Sequence, residues 1–356
     1  MNNLKKYYQN KKVLVTGHTG FKGSWLTLFL SSLGANVYGL SKDIPTNPSH
    51  YKLLKKHLVQ DIRVDLTNYT KTNKMINKIK PNIIFHLAAQ SLVLKSYSNP
   101  LDTFQANTII TINICEVLRK LKFKVNIIFI TSDKVYKNIE QKKGYIETDA
   151  IGGTDPYSAS KGCAELAIES YIQSFFLNKR SNIKIAVARA GNVIGGGDWS
   201  ENRIVPDCIQ KWKNKKTVYL RSPNSTRPWQ HVLEPIYGYL LLSKKLNDLK
   251  NINGQKFNFG PNENSNYSVV ELVKLMSNFW KDSKFKALNS KNKYYESNLL
   301  KLSSKKSKKI LNWETTLNFK ETVSYTIKWY LFYYNNKKNI KNFGIEQIND
   351  FLKKIK

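Results

Sequence analysis

Short apolar runs closed by turn-forming residues recur through the first half of the chain, at 13–16, 37–40, 83–87, 125–131 and 185–190. Few polar positions interrupt them, so they read as strands buried on both faces, the pattern of a parallel sheet covered by helices. Between them, 25–33, 101–121 and 157–177 carry apolar residues at three- and four-residue intervals, the period of a helix that buries one side. Strands alternating with helices predict an α/β fold built on a doubly wound parallel sheet, with right-handed crossovers placing helices on both faces.

After about residue 190 the alternation gives way to loops rich in Gly, Asn and Pro, including GGGDWSENR at 195–203 and RSPNSTRP at 221–228. The expected division is therefore 1–190, completed by about 229–262, as the sheet domain, with 191–228 and 263–356 as a smaller α/β substrate-binding region. The Lys- and Ser-rich stretch 281–309 and the charged helix expected over 336–356 read as solvated surface. No internal repeat is visible.

A chain of 356 residues with 41% hydrophobic content has ample material for a core. It contains no run approaching the roughly 18 apolar residues needed to cross a bilayer, and 1–12 lacks the apolar centre of a signal peptide, so a cytoplasmic protein without a membrane partner is expected. Cys115, Cys163 and Cys208 are scattered and apart from histidine. They are expected to be small buried side chains rather than disulfides or metal ligands. Of the remaining histidines, His18, His50, His57 and His86 show no metal spacing and read as loop or core residues. The net charge of +33 comes mainly from lysine spread along the chain, which is compositional bias rather than a nucleic-acid-binding stripe. Only seven of the 58 basic residues are arginine, and Arg189, Arg203, Arg221 and Arg227 fall within one short stretch. Where lysine is the default cation, arginine points to sites needing a planar, bidentate fork.

Thr16 closes the first strand and leads into Gly17-His18-Thr19-Gly20-Phe21-Lys22-Gly23, which opens an apolar helix. Glycines there permit a tight turn and close backbone approach to a pyrophosphate, and the helix start offers unpaired N–H groups. This is the pattern of a Rossmann-type dinucleotide cradle, with Gly17, Thr19, Gly20, Phe21, Lys22 and Gly23 as its contacts. At the end of the second strand Lys42 and Asp43 pull toward NADP and NAD respectively, leaving NAD with NADP not excluded. Asp61 and Ile62 are expected at the next strand end, where a carboxylate accepts a hydrogen bond from adenine. Leu87, Ala88 and Ala89 supply small residues where cofactor and backbone meet, and Gln90 follows on the substrate side.

Tyr157 and Lys161 stand four residues apart, on one face of a helix. An ammonium beside a phenol favours phenolate, which suits the tyrosine to accept a proton from a sugar hydroxyl. With TGHTGFKG, HLAAQ, TSDKVY, DPYSASKG, RAGNVIGGGDW and RPWQHVLEP in order over about residues 12–320, the chain resembles the extended short-chain dehydrogenase/reductase family. Within it, Asp133 directly after Ser132 resembles the nucleotide-sugar 4,6-dehydratases rather than the epimerases. Lys134, in place of the commoner glutamate, resembles the enzymes acting on CDP-glucose.

The resemblance implies that Ser132 and Tyr157 are the hydroxyl pair at the oxidised carbon, Lys161 the cofactor-binding lysine, and Asn107 an asparagine grouped with the cofactor contacts. It further implies Asp133 as the acid on a leaving 6-hydroxyl and Lys134 as candidate base at C5. Asn192, Arg203, Arg221 and Arg227 are expected to clamp the nucleotide diphosphate, while Trp229 and His231 shape the pocket. A homodimer through the helices at 101–121 and 157–177, and a place in deoxysugar synthesis for surface polysaccharide, are also implied. Dehydration of GDP-mannose or dTDP-glucose, epimerisation, and a basic binding protein without catalysis stand as the alternatives.

Overall fold

The computed structural model describes residues 2–54, 58–178, 181–262, 265–288 and 299–355. His57 and part of the 281–309 stretch lie outside them. Seven parallel strands form one sheet: β1 (Lys12–Thr16), β2 (Asn36–Ser41), β3 (Gln60–Arg63), β4 (Ile83–His86), β5 (Val125–Ile130), β6 (Ile183–Ala190) and β7 (Gln255–Phe259). Across the sheet they run β7-β6-β5-β4-β1-β2-β3. Successive strand residues supply opposite faces, as the two-residue period requires. Val13, Val15 and Phe85 enter one core, while Leu14 and Ile84 enter the other. Both cores are closed by helices, which is why the strands carry so few polar positions.

On the first face lie α1 (Phe21–Ser32) and, from later in the chain, a helix at Leu233–Asp248. The other face is covered by α2 (Tyr69–Ile79), α3 (Ile110–Lys120) and α4 (Pro156–Tyr171). The start of α4 is set locally: Asp155 accepts a hydrogen bond from the Ser158 N–H at 2.9 Å, and Pro156 occupies the first turn, where a missing N–H costs nothing. The continuous helix expected over 101–121 is instead a short α-helix at Pro100–Phe104, a π-turn at Gln105–Ile109 and then α3. Likewise, 157–177 ends in a π-turn at Ile172–Phe176. A π-turn inserts a residue without breaking the apolar face, so periodicity alone does not reveal it.

Beyond β6 the chain makes three short two-stranded ladders, Val193–Ile194 with Gln230–His231, Thr226–Arg227 with Tyr267–Ser268, and Val218–Leu220 with Phe285–Ala287. The helix at Phe319–Asn335 begins with a reciprocal capping box between Asn318 and Glu321. The terminal helix at Ile340–Lys354 is not simply solvated surface, because Ile340, Ile348 and Phe351 are fully buried and Gly344 closes on Leu28 and Trp25 of α1. Its lysines mask an amphipathic pattern. Cys163 departs from expectation too: it is exposed on α4, whereas Cys115 and Cys208 are buried. Among the described residues no helix is long and apolar enough to cross a membrane, and no cluster of His, Cys, Asp and Glu could hold a metal.

One polar knot lies inside the protein. Arg189 of β6 and Glu165 of α4 both have fully buried side chains, with Arg189 Nε donating to the two carboxylate oxygens at 2.9 and 3.0 Å and Nη2 donating at 2.5 Å. Thr131 donates to the same carboxylate at 2.5 Å, and Arg189 Nη1 donates to the Tyr136 hydroxyl at 2.6 Å. Arg189 is thus the bidentate fork that its residue type suggests, but directed at a protein carboxylate. Arg189→Met should cost about 3–5 kcal/mol in urea unfolding, because it leaves a buried carboxylate uncompensated. A loss under about 1 kcal/mol would mean that the pair carries little of the local structure.

Candidate active site

All seven strands point their carboxyl ends to one edge, and the sheet order reverses between β1 and β4. This is where an open parallel sheet leaves a crevice for ligands. A cleft of about 1870 Å³ opens there. Its floor begins at Gly17, whose φ of +72° and whose approach to Ala88 exclude a side chain: a Cβ would lie 2.8 Å from the Ala88 backbone. A Cβ on Gly23 would lie 2.2 Å from the Gly17 carbonyl oxygen. Gly20 caps α1 without a side-chain hydrogen bond, leaving the first-turn N–H groups to a ligand. Clearance, free donors and the positive helix end together fit a pyrophosphate.

Thr16 fixes the opposite side of this cradle. Its hydroxyl oxygen accepts from the Leu87 and Ala88 N–H groups, each at 3.2 Å, and bonds to His86 Nδ1 at 2.8 Å. Thr19, Phe21, Lys22, Leu87, Ala88 and Ala89 all line the cleft.

Asp61 and Ile62 do not line it. Because β3 begins at Gln60, Asp61 lies near its start rather than at its carboxyl end, and its carboxylate is taken by His18 at 2.9 Å, Tyr51 at 2.6 Å and Arg63 at 2.7 Å. The strand-end positions on the cleft are Val64, Asp65 and Leu66. A cue was available in the sequence: Asp65 and Thr67 form a side-chain turn, with Asp65 Oδ1 accepting from the Thr67 N–H at 3.0 Å, a common way for a strand to end. Asn107 also stands behind the wall rather than on it. Buried in the π-turn, it accepts from the Gln90 N–H at 2.8 Å and donates to the Gln90 carbonyl at 3.1 Å and the Ser160 hydroxyl at 2.9 Å. Gln90 does line the cleft, but its amide is occupied in holding Leu92 and Thr103.

The candidate reactive residues converge where β5 and α4 meet. Ser132, Asp133, Lys134, Tyr157 and Lys161 all line the cleft, and the Ser132 hydroxyl bonds to both the Tyr157 phenol and, at 2.9 Å, Asp133 Oδ1. Burial raises the Tyr157 pKa to about 12 despite the Ser132 bond. The expected lowering by Lys161 is not seen: after burial, the groups that act on the phenol are Ser132, Asp133, Arg203 and Asp155, while Lys161 itself is pushed down to about 8 by desolvation, with Glu165 pulling it partly back. Desolvation likewise raises Asp133, against the opposing pull of Lys134, Ser132, Lys22 and Arg227. Asp133 Oδ2 has no hydrogen-bond partner among the described residues, and a side chain at Gly191 would come within 2.9 Å of it. A buried carboxyl with one unpartnered oxygen beside a glycine of the cleft wall is suited to donate a proton to a ligand. Lys22, unremarkable in the sequence beyond its place in the loop, is held down to about 8 by burial and by Arg203, and Asp133 and Lys161 also act on it, so it belongs to this group.

Asn192, Arg203, Arg221, Arg227 and Trp229 line the far wall. Arg203 bridges Asp198 at 2.9 Å and Ser91 at 3.2 Å, while Trp229 donates to the Tyr267 carbonyl at 3.0 Å. His231 is not part of the wall: fully buried, it packs against Trp25 and Tyr325, and desolvation holds its pKa down to about 3. Its place in the core reflects the aromatic layer laid over it by the helix at Phe319–Asn335.

Solved structures define the class of fold. The chain superposes on the epimerase Mth375 of Methanothermobacter thermautotrophicus with a TM-score of 0.82 at 21% identity, covering 95% of this chain and 97% of the other. On the dTDP-glucose 4,6-dehydratase of Bacillus anthracis, solved with NAD, the score is 0.74 at 19% identity, covering 94% and 99%. The chain belongs to the GDP-mannose 4,6 dehydratase family, whose profile matches residues 14–326. It is 39% identical over 330 residues to the CDP-glucose 4,6-dehydratase of Salmonella typhimurium, covering 92% of each chain.

The cradle gives a direct test. Gly23→Ala should weaken dinucleotide binding by at least about tenfold in isothermal titration while the circular dichroism spectrum is retained, because the added methyl forces the Gly17 carbonyl out of place. Unchanged affinity would remove the loop from the binding site.

Proposed function

We propose that this protein is a nucleotide-sugar 4,6-dehydratase that converts CDP-glucose to CDP-4-keto-6-deoxyglucose with NAD. The observation that carries the reading is Asp133: a buried carboxyl on the cleft wall beside Ser132 and Tyr157, with one oxygen that has no hydrogen-bond partner among the described residues. An epimerase needs no such acid, whereas expulsion of a 6-hydroxyl as water does. The 39% identity to a CDP-glucose enzyme over almost the whole chain supports the choice of nucleotide and hexose.

Gly17, Thr19, Gly20, Phe21, Lys22 and Gly23, with Leu87, Ala88 and Ala89, would hold the dinucleotide, and Lys161 would meet its reactive end. When bound, NAD supplies a hydride acceptor for C4 and, in reduced form, a hydride donor for C6. Tyr157 takes the proton of the 4-hydroxyl, with Ser132 holding that oxygen. Its raised pKa means that the resting phenol is protonated and acts as base only after its own proton has left. The resulting 4-ketone acidifies C5. Lys134, half-buried beside Asp133, takes the C5 proton as the neutral amine, and Asp133 gives a proton to the departing 6-hydroxyl. Asn192, Arg203, Arg221 and Arg227 hold the diphosphate, and Trp229 closes the pocket, so that 191–228 and 263–356 act as the substrate-binding region.

The protein is further proposed to be a cytoplasmic homodimer serving deoxysugar synthesis for lipopolysaccharide O-antigen. The dimer reading is supported by Leu101, 69% exposed, Leu166, 60% exposed, and Phe175, 45% exposed, apolar side chains on the two helical stretches at 101–121 and 157–177. Leu166→Asp should shift the protein from dimer to monomer in light scattering after gel filtration. A wild type that elutes as a monomer, or a variant that stays dimeric, would contradict this.

Among CDP-, UDP-, GDP- and dTDP-linked glucose and GDP-mannose, CDP-glucose should give the fastest appearance of the alkali-absorbing 4-keto-6-deoxy product. Asp133→Asn should cut turnover by about 10²- to 10⁴-fold and accumulate reduced cofactor, as expected when a general acid is lost after oxidation. Wild-type turnover in that variant would overturn the assignment of the acid.

A further inference from the structure

The sequence leaves cofactor choice open because Lys42 and Asp43 at the end of β2 favour opposite ligands. The structure adds a third group. Lys42 Nζ lies 2.9 Å from Asp65 Oδ2, and Asp65 is fixed from its other side, where Oδ1 accepts from the Thr67 N–H at 3.0 Å and the Thr67 hydroxyl at 2.7 Å. Lys42, Asp43 and Asp65 all line the cleft, and the Thr19 hydroxyl donates to the Asp43 carbonyl at 2.7 Å, which pins the β2 end against the glycine loop. This is the corner where the ribose next to adenine must lie if the pyrophosphate sits on α1.

Resting on the reading of the cleft as a dinucleotide site, we infer that Asp65 is a specificity-determining residue: it takes up the charge of Lys42 and makes this corner reject a 2′-phosphate. Asp65, Asp43 and Asp102 all act on Lys42, so the charges that answer its ammonium are negative ones. A 2′-phosphate brings two more. Pairing at the surface is weak in itself, since Lys42 is 69% exposed, but selectivity requires only that the ammonium be engaged and the surroundings remain negative. Asp65 is suited to that role because the Thr67 turn holds its carboxylate in place before any ligand arrives. A free, flexible lysine would swing onto a phosphate; one answered by an anchored carboxylate has less to gain.

The test is the ratio of dissociation constants for NADP and NAD, measured by isothermal titration with the full-length protein at low ionic strength. Asp65→Asn keeps the oxygen that accepts from Thr67 and removes only charge. The wild type should prefer NAD, and Asp65→Asn should reduce the NADP-to-NAD ratio by about tenfold, as one unmasked cation facing a phosphate permits. Adding Lys42→Ala should restore the ratio, whereas Lys42→Ala alone should change it by less than about twofold. The Asp65→Asn effect should shrink in 0.5 M salt, because the site is exposed. An unchanged ratio in Asp65→Asn, or an equal effect of Lys42→Ala in the presence and absence of Asp65, would overturn the inference while leaving the dinucleotide site intact. Binding of neither dinucleotide by the wild type would remove both together.

Discussion

Glu165 and Arg189 meet in the interior, and four pieces of the cleft are hung on that contact. Arg189 belongs to β6 and Glu165 to α4; Thr131 directly follows β5, and Tyr136 follows the turn that carries Asp133. Such a pair is a poor source of stability, because desolvating two ions costs about as much as their attraction returns. Its value is geometric. A bidentate guanidinium accepts only one orientation of its carboxylate, so the helix bearing Tyr157 and Lys161 is indexed to the strand ends bearing Ser132 and Gly191. Tyr136 extends the network by donating to Asn258 at 2.8 Å, which ties the edge strand β7 to the same point.

Above this knot, burial sets the chemistry. It raises Tyr157 and Asp133 and lowers Lys22 and Lys161, so each group is moved toward its neutral form. A phenol held neutral, a carboxyl whose hold on a proton is raised by burial, and amines closer than usual to neutrality form a set through which protons can move in either direction. A reaction that removes a hydroxyl proton, shifts a C–H proton and expels water needs that reversibility more than it needs one strong base.

The sheet could be read from the chain because doubly covered strands leave an unambiguous apolar signature, and five of the seven were located from it. The short β3, with its QDIR sequence, has little apolar content and two charged residues, and its misplacement put Asp61 at a strand end that Val64 and Asp65 hold on the cleft. The reactive residues were legible because their spacing is local: Tyr157 and Lys161 on one helix, Ser132 to Lys134 on one turn. Residues acting through tertiary contact were not. His231 shares a motif with Trp229 yet faces the aromatic core, and Asn107 braces a loop from within a π-turn that periodicity does not register. Arginine scarcity marked Arg189 as a position needing a fork, but that fork serves a buried glutamate, a distinction that depends on where Glu165 folds.

The proposed reaction turns on an internal transfer: hydrogen leaves C4 of the sugar and returns, in the same active site, to C6. CDP-glucose carrying deuterium at C4 tests it most directly, with the product examined by NMR after incubation with the protein and NAD. Deuterium at C6 of a 4-keto-6-deoxy product is the predicted result. Product with an unlabelled C6, or recovery of labelled sugar with only its C4 configuration changed, would contradict the claim.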